Sequence, residues 1–316
     1  MGASEAGRIP YAREAMPRGP WWISRVDVLS APVELGLLGL GGLWRLSESL
    51  QFVRDNVDAA LLPADFLGTP SAEPAWSAFL RRELDVRRAL REAGARVVKQ
   101  IQRGELGPRD FRVTWETLGF LPHAEDAGTA ADDYLDGLFQ MTRLTLGEEM
   151  PVDGSPNMAS RAERVADFLK VTEPSAADVV MDLGSGNGKF ALTVSSSSLT
   201  RVVGVELGGS YVAAARRTAH GLALQNVHFI HADVRDVDLS PGSIFYLYYP
   251  FRGVVAKTVS EILGRLARRK EITVYLAGPG VGYAEHFLHE VETGALSLRE
   301  RRGEFSDVLV LGSATA

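Results

Sequence analysis

A glycine turn between a buried strand and the start of a helix constrains this chain more than any other feature. The turn lies within DVVMDLGSGNGKF, residues 178–190. The run from Val179 to Asp182 is typical of a buried strand that ends in one carboxylate, and a helix-compatible run begins at Lys189. Glycine lets a backbone approach a ligand closely, and a helix start offers unpaired N–H groups. The pattern therefore predicts a nucleotide-type pocket.

Two classes of ligand fit such a turn, a dinucleotide and S-adenosylmethionine. A dinucleotide fingerprint is GxGxxG, with the pyrophosphate seated on the helix N-terminus. Here the third glycine comes one residue early, and Asp182 would repel a diphosphate. A second acid, Glu206, ends the next predicted strand, RVVGVE, where it can accept both hydroxyls of a ribose. The two acids favour S-adenosylmethionine, because a turn that serves only packing would leave both unexplained.

From about residue 157 to residue 311, the chain resembles the class I, seven-strand S-adenosylmethionine-dependent methyltransferases. The segments that carry the resemblance are VVMDLGSGNG, VVGVEL and NVHFIHADVRD. The sequences of these motifs are most similar to those of the non-SET histone-lysine methyltransferases and related bacterial enzymes. The fourth motif fits only in part, because amine methyltransferases often carry Asn/Asp-Pro-Pro-Tyr where this chain has YYPF, residues 248–251. The side chain that usually orients a target amine is missing, which leaves the acceptor atom open.

The resemblance implies a role in the site for each motif. The acid of the first strand lies near the methionine part, and the backbone of the glycine turn wraps the amino-acid portion. The acid of the second strand binds the ribose, and the acid after the third strand reads the adenine together with the next backbone group. The fourth motif lines the acceptor side. The predicted cofactor-binding residues are Asp182, Gly184, Ser185, Gly186, Glu206, Asp233, Val234 and Tyr248.

Methyl transfer is a direct displacement, so the protein mainly has to position donor and acceptor in line and exclude water. A general base is needed only if the acceptor arrives protonated. The candidate catalytic residues are Tyr248, His231 and Glu148. We predict no metal site, because His286 and His289, which share a predicted helix face, lack a third ligand.

Regular alternation of strands and helices after Asp178 predicts an α/β fold. We expect a doubly wound, mostly parallel, seven-stranded sheet, closed by an antiparallel hairpin with a turn near Gly303. Ser160 with Glu163 has capping-box spacing for the helix before the sheet, and Ser210 suits the N-cap position of the helix after the second strand. The predicted strands are 179–182, 201–206, 227–230, 244–248 and 272–276, followed by the hairpin within 296–311.

The part of the chain before the sheet predicts an all-helical domain. Apolar residues recur at helical spacing, and no strand-rich segment precedes Asp178. The predicted helices are 47–62, 76–101 and 131–146. The predicted parts of the chain are a flexible arm at 1–20, a helical acceptor or lid domain at 21–147, and a methyltransferase domain at 148–316, with a linker at 147–157.

Composition narrows the class of protein. The 316 residues include no cysteine, which excludes disulfides, thiolate metal sites and a cysteine nucleophile, and fits a cytoplasmic protein. The N-terminus lacks the apolar core of a signal peptide, and the longest apolar run, residues 35–44, is too short to span a bilayer. The formal charge of −6 argues against a broad nucleic-acid surface. We therefore expect a soluble protein with no membrane partner.

These observations predict an S-adenosylmethionine-dependent methyltransferase that acts on N or O of a small molecule or peptide. A protein-lysine methyltransferase stays open as an alternative, on the wording of the motifs. A non-catalytic S-adenosylmethionine-binding regulatory module also stays open, although such a module would be expected to carry damaged cofactor motifs. A homodimer is left open as well.

Overall fold

The computed structural model describes residue 35 and residues 38–59, 72–122, 128–141, 159–278, 284–302 and 308–314. Helices come first, and strands then alternate with helices. The helices before the sheet are α1 (Leu40–Ala59), α2 (Ala72–Gln102), α3 (Pro108–Glu116), α4 (Ala130–Phe139) and α5 (Ala162–Thr172). The elements that follow are β1 (Val179–Leu183), α6 (Lys189–Ser197), β2 (Arg201–Glu206), α7 (Gly209–Gly221), β3 (Val227–His231), β4 (Ile244–Tyr248), α8 (Gly253–Ala267), β5 (Thr273–Ala277), α9 (Ala284–Glu292), β6 (Leu296–Arg302) and β7 (Val308–Ser313).

The sheet has seven strands in the order β3-β2-β1-β4-β5-β7-β6. The first five strands run parallel, and β7 is antiparallel to both β5 and β6. All five residues of β1 are buried, as expected for a parallel strand in the centre of a sheet with helices on both faces. The predicted α/β class and the closing hairpin are confirmed. The predicted turn near Gly303 lies outside the described residues.

An aromatic cluster joins α5 and α6 to the middle of the sheet. The rings of Phe190 and Tyr246 are stacked with centroids 3.5 Å apart, and Phe168 meets Phe190, Tyr246 and Tyr275 edge-on at 4.9 to 5.6 Å. The buried Tyr246 hydroxyl lies 2.9 Å from Ser160 Oγ, so its polar end is satisfied. This cluster packs α5 and α6 against β4 and β5.

The described residues form two compact units. One lies within Arg45–Ala89, and the other contains Leu38–Trp44 and the described residues from Leu90 onward. In the first unit, buried Glu83 forms ion pairs with Arg54 at 2.9 Å and Arg87 at 2.6 Å. The predicted domain boundary at residue 147, the linker and the arm lie outside the described residues, so the three-part division stays a prediction. Among the described helices, none combines the length and apolar character needed to cross a bilayer.

The helical part departs from prediction in several ways: α1 begins at Leu40 and α2 at Ala72, before their predicted starts at residues 47 and 76. Helix α3 was not predicted; it begins with Pro108 and buries Phe111 and Trp115, and its short length hides its periodicity. The helix predicted at 131–146 is wrong in its C-terminal part, because α4 ends at Phe139. Gln140 adopts a left-handed conformation with φ 51°, and its N–H donates to the Asp136 carbonyl and closes the last turn.

Both predicted capping serines are wrong. Helix α5 has no side-chain cap at its own N-cap residue, and Ser160 contacts the Tyr246 hydroxyl instead. The N–H of Ala162 donates to Asp132 Oδ1 at 2.7 Å, so a carboxylate from α4 replaces the local cap. Helix α7 begins at Gly209, which places Ser210 inside the helix rather than at its cap. A cap from another helix leaves no local signal in the sequence.

A buried lysine ties the helical part to the glycine turn. Lys189 begins α6 immediately after the turn and is 4% exposed. Its Nζ lies 2.9 Å from Asp132 Oδ1 and 2.7 Å from Asp136 Oδ1, both on α4. Burial by itself would lower the pKa of Lys189, but the two carboxylates outweigh it and raise that pKa. The lysine therefore stays charged, and Asp132 joins the starts of α5 and α6.

Replacing Lys189 with Met should destabilise the protein strongly, because two carboxylates would lose the cation that faces them. We expect the free energy of unfolding to fall by about 3 kcal/mol, measured by urea denaturation followed by circular dichroism. The matched control is Lys257→Met, which removes an exposed pair with Glu261 at 3.9 Å and should cost less than about 1 kcal/mol. Equal losses in the two variants would contradict the role given to Lys189.

Candidate active site

The glycine turn is held against the end of β2 by its own backbone. The N–H groups of Gly184 and Ser185 both donate to the carbonyl of Val205, at 2.8 and 3.0 Å. Gly184, Gly186 and Gly188 have φ values of 84°, 52° and 84°, which residues other than glycine rarely adopt. The turn therefore requires glycine for its conformation, and the predicted strand–turn–helix unit is present as β1, the turn and α6.

The first glycine is also needed for space. A Cβ on Gly184 would lie 2.2 Å from Cβ of Pro250, the third residue of the YYPF segment. On Gly188, a Cβ would lie 2.8 Å from the ring of Phe229 and from Cβ of Ala215. The segment after β4 thus packs directly on the turn after β1, which places the predicted acceptor side next to the predicted donor side.

Asp182 lies at the carboxyl end of β1 and is 3% exposed. Its side chain accepts the backbone N–H of Ala191 in the first turn of α6, but Oδ2 has no hydrogen-bond partner. The neighbouring Ser185 Oγ is also buried and unpartnered. Burial, followed by the charge of Glu206, raises the pKa of Asp182 well above its usual value, and the Ala191 amide only partly opposes this. Two polar groups at the turn therefore lack a partner within the described protein.

Glu206, at the end of β2, is hydrogen-bonded to the backbone of the glycine turn. Its Oε2 accepts the N–H of Gly186 and its Oε1 the N–H of Gly208, both at 2.8 Å. A carboxylate oxygen has two lone pairs, so each oxygen can accept one more hydrogen bond. Glu206 can therefore accept a pair of hydroxyl groups without releasing either backbone amide.

Asp233 follows β3 and is paired with a residue that the sequence did not reveal. Its Oδ1 accepts the backbone N–H of Arg235 at 2.9 Å, and the Arg235 guanidinium lies 2.6 Å from Oδ2. These contacts with Arg235 lower the pKa of Asp233. Val234 is buried in the short 3₁₀ turn that follows, and the N–H of Ala232 donates to the Glu206 carbonyl at 3.1 Å. The ends of β2 and β3 are therefore joined.

Of the candidate catalytic residues, His231 and Tyr248 lie at this edge of the sheet. The Nε2 atom of exposed His231 lies 2.9 Å from the carbonyl of Leu207. A carbonyl oxygen only accepts, so Nε2 carries a hydrogen, and in the neutral form of the ring Nδ1 then has the lone pair. Tyr248 is half-buried at the end of β4, next to Tyr249, whose φ of 47° is unusual for a residue with a side chain. Glu148 lies outside the described residues.

Sequence reasoning missed Arg164, on the inner side of α5. Its half-buried side chain hydrogen-bonds with Tyr275 and lies near Tyr246 and Tyr248. Burial lowers the pKa of Arg164, but Tyr275 and the other two tyrosines outweigh it and raise that pKa. A groove of about 440 Å³ runs along this helix; it is lined by Arg112, Glu116, Phe120, Glu163, Arg164, Ala166, Asp167 and Lys170. The lining of this groove comes from α3, the following Phe120 and α5, and no motif marks it in the sequence.

Comparisons with known proteins give a match to one family and a set of similar solved structures. Residues 180–268 match the model of a methyltransferase domain. No curated protein sequence matches the chain. Similar solved structures include an RNA methyltransferase from Salinibacter ruber in complex with S-adenosyl-L-homocysteine, with 19% identity, a TM-score of 0.38, and coverage of 49% of this chain and 92% of that one. Another is a precorrin-6y C5,15-methyltransferase from Geobacter metallireducens, with 14% identity, a TM-score of 0.41, and coverage of 52% and 92%.

The matched residues and the strand order define the class of protein. The chain contains an S-adenosylmethionine-dependent methyltransferase domain on a Rossmann-like sheet. The match covers well under half of the chain and does not reach a subgroup, so the likeness to histone-lysine methyltransferases stays a prediction. At the identities found, what the solved proteins act on says nothing about what this chain acts on.

Replacing Gly184 with Ala should damage the turn in two ways. Its positive φ costs a residue with a side chain about 1–2 kcal/mol, and the added methyl group would overlap Pro250. We expect a lower melting temperature and a weaker affinity for S-adenosylhomocysteine, measured by calorimetric titration. Gly221→Ala is the control, because a Cβ there meets nothing within 4 Å. Unchanged stability and affinity in Gly184→Ala would contradict the turn geometry.

Proposed function

We propose that this protein transfers the methyl group of S-adenosylmethionine to N or O of a small molecule or peptide. The observation that carries the proposal is the buried Asp182 carboxyl beside the glycine turn, whose Oδ2 has no hydrogen-bond partner, together with Glu206, which accepts the N–H of Gly186. A buried polar atom without a partner is costly, and a cationic ligand group would satisfy it. We assign the amino-acid portion of the donor to Asp182 and the turn, and the ribose to Glu206.

The remaining donor contacts follow from the same edge of the sheet. We assign the adenine to Asp233 and the Val234 backbone, with Arg235 holding the Asp233 carboxylate in place. Ser185 Oγ and the backbone from Gly184 to Gly186 complete the predicted cofactor set. When bound, the donor supplies an activated methyl group on a cationic sulfur.

The chain's own contribution is to bind, orient and exclude water, which is where most of the rate enhancement of a direct displacement arises. Tyr248 offers an aromatic face to a cationic centre on the acceptor side. His231 Nδ1 is a proton acceptor for an acceptor group that arrives protonated, and Tyr248 is the second candidate. Glu148 remains a candidate from the sequence alone.

For the acceptor, we propose that the helical part of the chain contributes one wall of the binding site. The groove along α5 supports this, because Arg164 lines it and also lies near Tyr248. The side chains of the groove include three cationic and three anionic residues, Arg112, Arg164, Lys170, Glu116, Glu163 and Asp167. This balance favours a small polar or zwitterionic acceptor over a strongly charged polymer.

A protein-lysine methyltransferase is the alternative. The wording of the first two motifs favours it, whereas YYPF lacks the amide or carboxylate that would orient a lysine amine. A transfer assay with labelled S-adenosylmethionine and host lysate, separated into small-molecule and protein fractions, distinguishes the two. Label in the small-molecule fraction supports the proposal, and label confined to the protein fraction supports the alternative. Label in neither fraction would count against an enzyme and favour a regulatory binding module.

The donor site can be tested separately. Asp182→Ala and Glu206→Ala should each weaken binding of S-adenosylmethionine at least tenfold, which corresponds to about 1.4 kcal/mol. Each change removes a carboxylate that we assign to a ligand group. Glu271→Ala is the matched control, since this acid is exposed and pairs only loosely with Arg299, at 3.2 Å. Calorimetric titration that gave wild-type affinity in both site variants would refute the assignment.

A further inference from the structure

The charge around Asp182 is unusual for a buried carboxyl. Asp182 is paired in the sheet with Gly204, and a Cβ on Gly204 would lie 2.8 Å from Ser185 Oγ. Asp182 Oδ2 and Ser185 Oγ are both buried and lack a hydrogen-bond partner. The position that a side chain on Gly204 would take is filled by the ring of Phe229, 2.6 Å from where a Cβ would lie, and by Ser185 Oγ.

The elements packed around Asp182 bring no cation to it within the described residues. From β2 comes Glu206, a second acid, and from β4 comes Tyr246, whose pKa is raised well above its usual value by burial, so it stays neutral. From α6 come the Ala191 amide and Lys189, but the Lys189 ammonium is bound to Asp132 and Asp136. The nearest charge that acts on Asp182 is thus negative.

A negative charge on Asp182 is therefore unfavourable while the site holds no cation. Burial removes the carboxylate from water, and the single amide hydrogen bond from Ala191 does not replace that solvation. A protonated carboxyl avoids both the desolvation and the repulsion by Glu206. An ammonium or sulfonium group in the turn makes the charged carboxylate the more favourable form, because a positive charge then lies beside it.

We propose that Asp182 carries a proton in the ligand-free protein and gives it up when a ligand binds with an ammonium or sulfonium group beside it. The O–H bond of Asp182 breaks, the proton passes to solvent, and the carboxylate remains to pair with the ligand cation; the ligand itself is unchanged. Asp182 thereby selects ligands with a cationic portion over neutral adenosines, and more strongly as pH rises. The inference rests on the proposed donor site.

The sign of the pH dependence follows from proton linkage. The pKa of Asp182 is raised in the empty site and lowered by the bound cation, so between these two values the complex holds fewer protons than the free protein. Affinity for a cationic ligand therefore increases with pH across this window, by up to tenfold per pH unit. Outside the window the affinity is constant, and a neutral ligand shows no such increase.

The test is calorimetric titration of the full chain with two ligands. S-adenosylhomocysteine keeps the ammonium group, whereas 5′-methylthioadenosine has no amino-acid portion. Titrations between about pH 5 and pH 7 keep the amino-acid group of the ligand charged, and two buffers of different ionisation enthalpy report the number of protons released. We expect close to one proton for S-adenosylhomocysteine within the window, and none for 5′-methylthioadenosine. Equal proton release with both ligands, or none with S-adenosylhomocysteine at any pH, would overturn the inference.

Two variants assign the proton to its residue. Asp182→Asn cannot release it, so its affinity for S-adenosylhomocysteine should not change with pH. Asp178→Asn is the control at the other end of the same strand, where Ser175 and Ser243 hold the carboxylate, and it should behave as the wild type. Proton release retained in Asp182→Asn would overturn the assignment.

If Asp182→Asn does not fold, as judged by circular dichroism, or does not bind, the contrast between the two ligands on the wild-type protein decides the question. Failure of the wild-type protein to bind S-adenosylhomocysteine would contradict the proposed function itself. Binding without proton release would contradict only the role of Asp182.

Discussion

The edge of the sheet to which we assign the donor depends on the close approach of the glycine turn to β2. The carbonyl of Val205 accepts two successive N–H groups of the turn, and Glu206 accepts a third from Gly186. This approach leaves no room for a side chain at Gly184, where Pro250 lies against the turn. Because the turn contacts β2 on one side and the segment after β4 on the other, a change at the turn affects donor and acceptor sides together.

Two buried ionisable residues, one on each side of the turn, differ in whether the protein provides a group of opposite charge. Lys189 is matched by Asp132 and Asp136, so the protein itself satisfies this charge and gains a fixed link between α4 and α6. Asp182 has a second acid as its nearest charged neighbour. The first arrangement stabilises the fold, and the second leaves a polar group for a ligand to satisfy. A cost of this kind is common at binding sites, where the ligand supplies the missing partner.

The acceptor side is built from less regular structure. Tyr249 adopts a positive φ, and Gly278 at the end of β5 leaves space for its Cβ. Such backbone is tolerated only where its surroundings fix it, and it occurs often at functional sites. From α5, Arg164 hydrogen-bonds with Tyr275 and lies near Tyr248, and the groove beside it carries balanced charge. These features make this face the place to look for the acceptor, which the motifs of the donor half do not specify.

The sequence by itself determined the sheet, its closing hairpin and the strand–turn–helix unit to which we assign the donor. These features are local patterns, which can be recognised in a sequence without a structure: the strand periodicity, the three glycines and the acids that end β1 and β2. Only the tertiary structure revealed the cap that Asp132 provides to α5, the buried partners of Lys189, the Arg235 contact with Asp233 and the position of Arg164. Each of these joins residues or elements through side-chain geometry, and such pairings leave no periodicity in the chain. The protonation of Asp182 belongs to the same class, because it follows from what packs around the residue and not from the residue's neighbours in sequence.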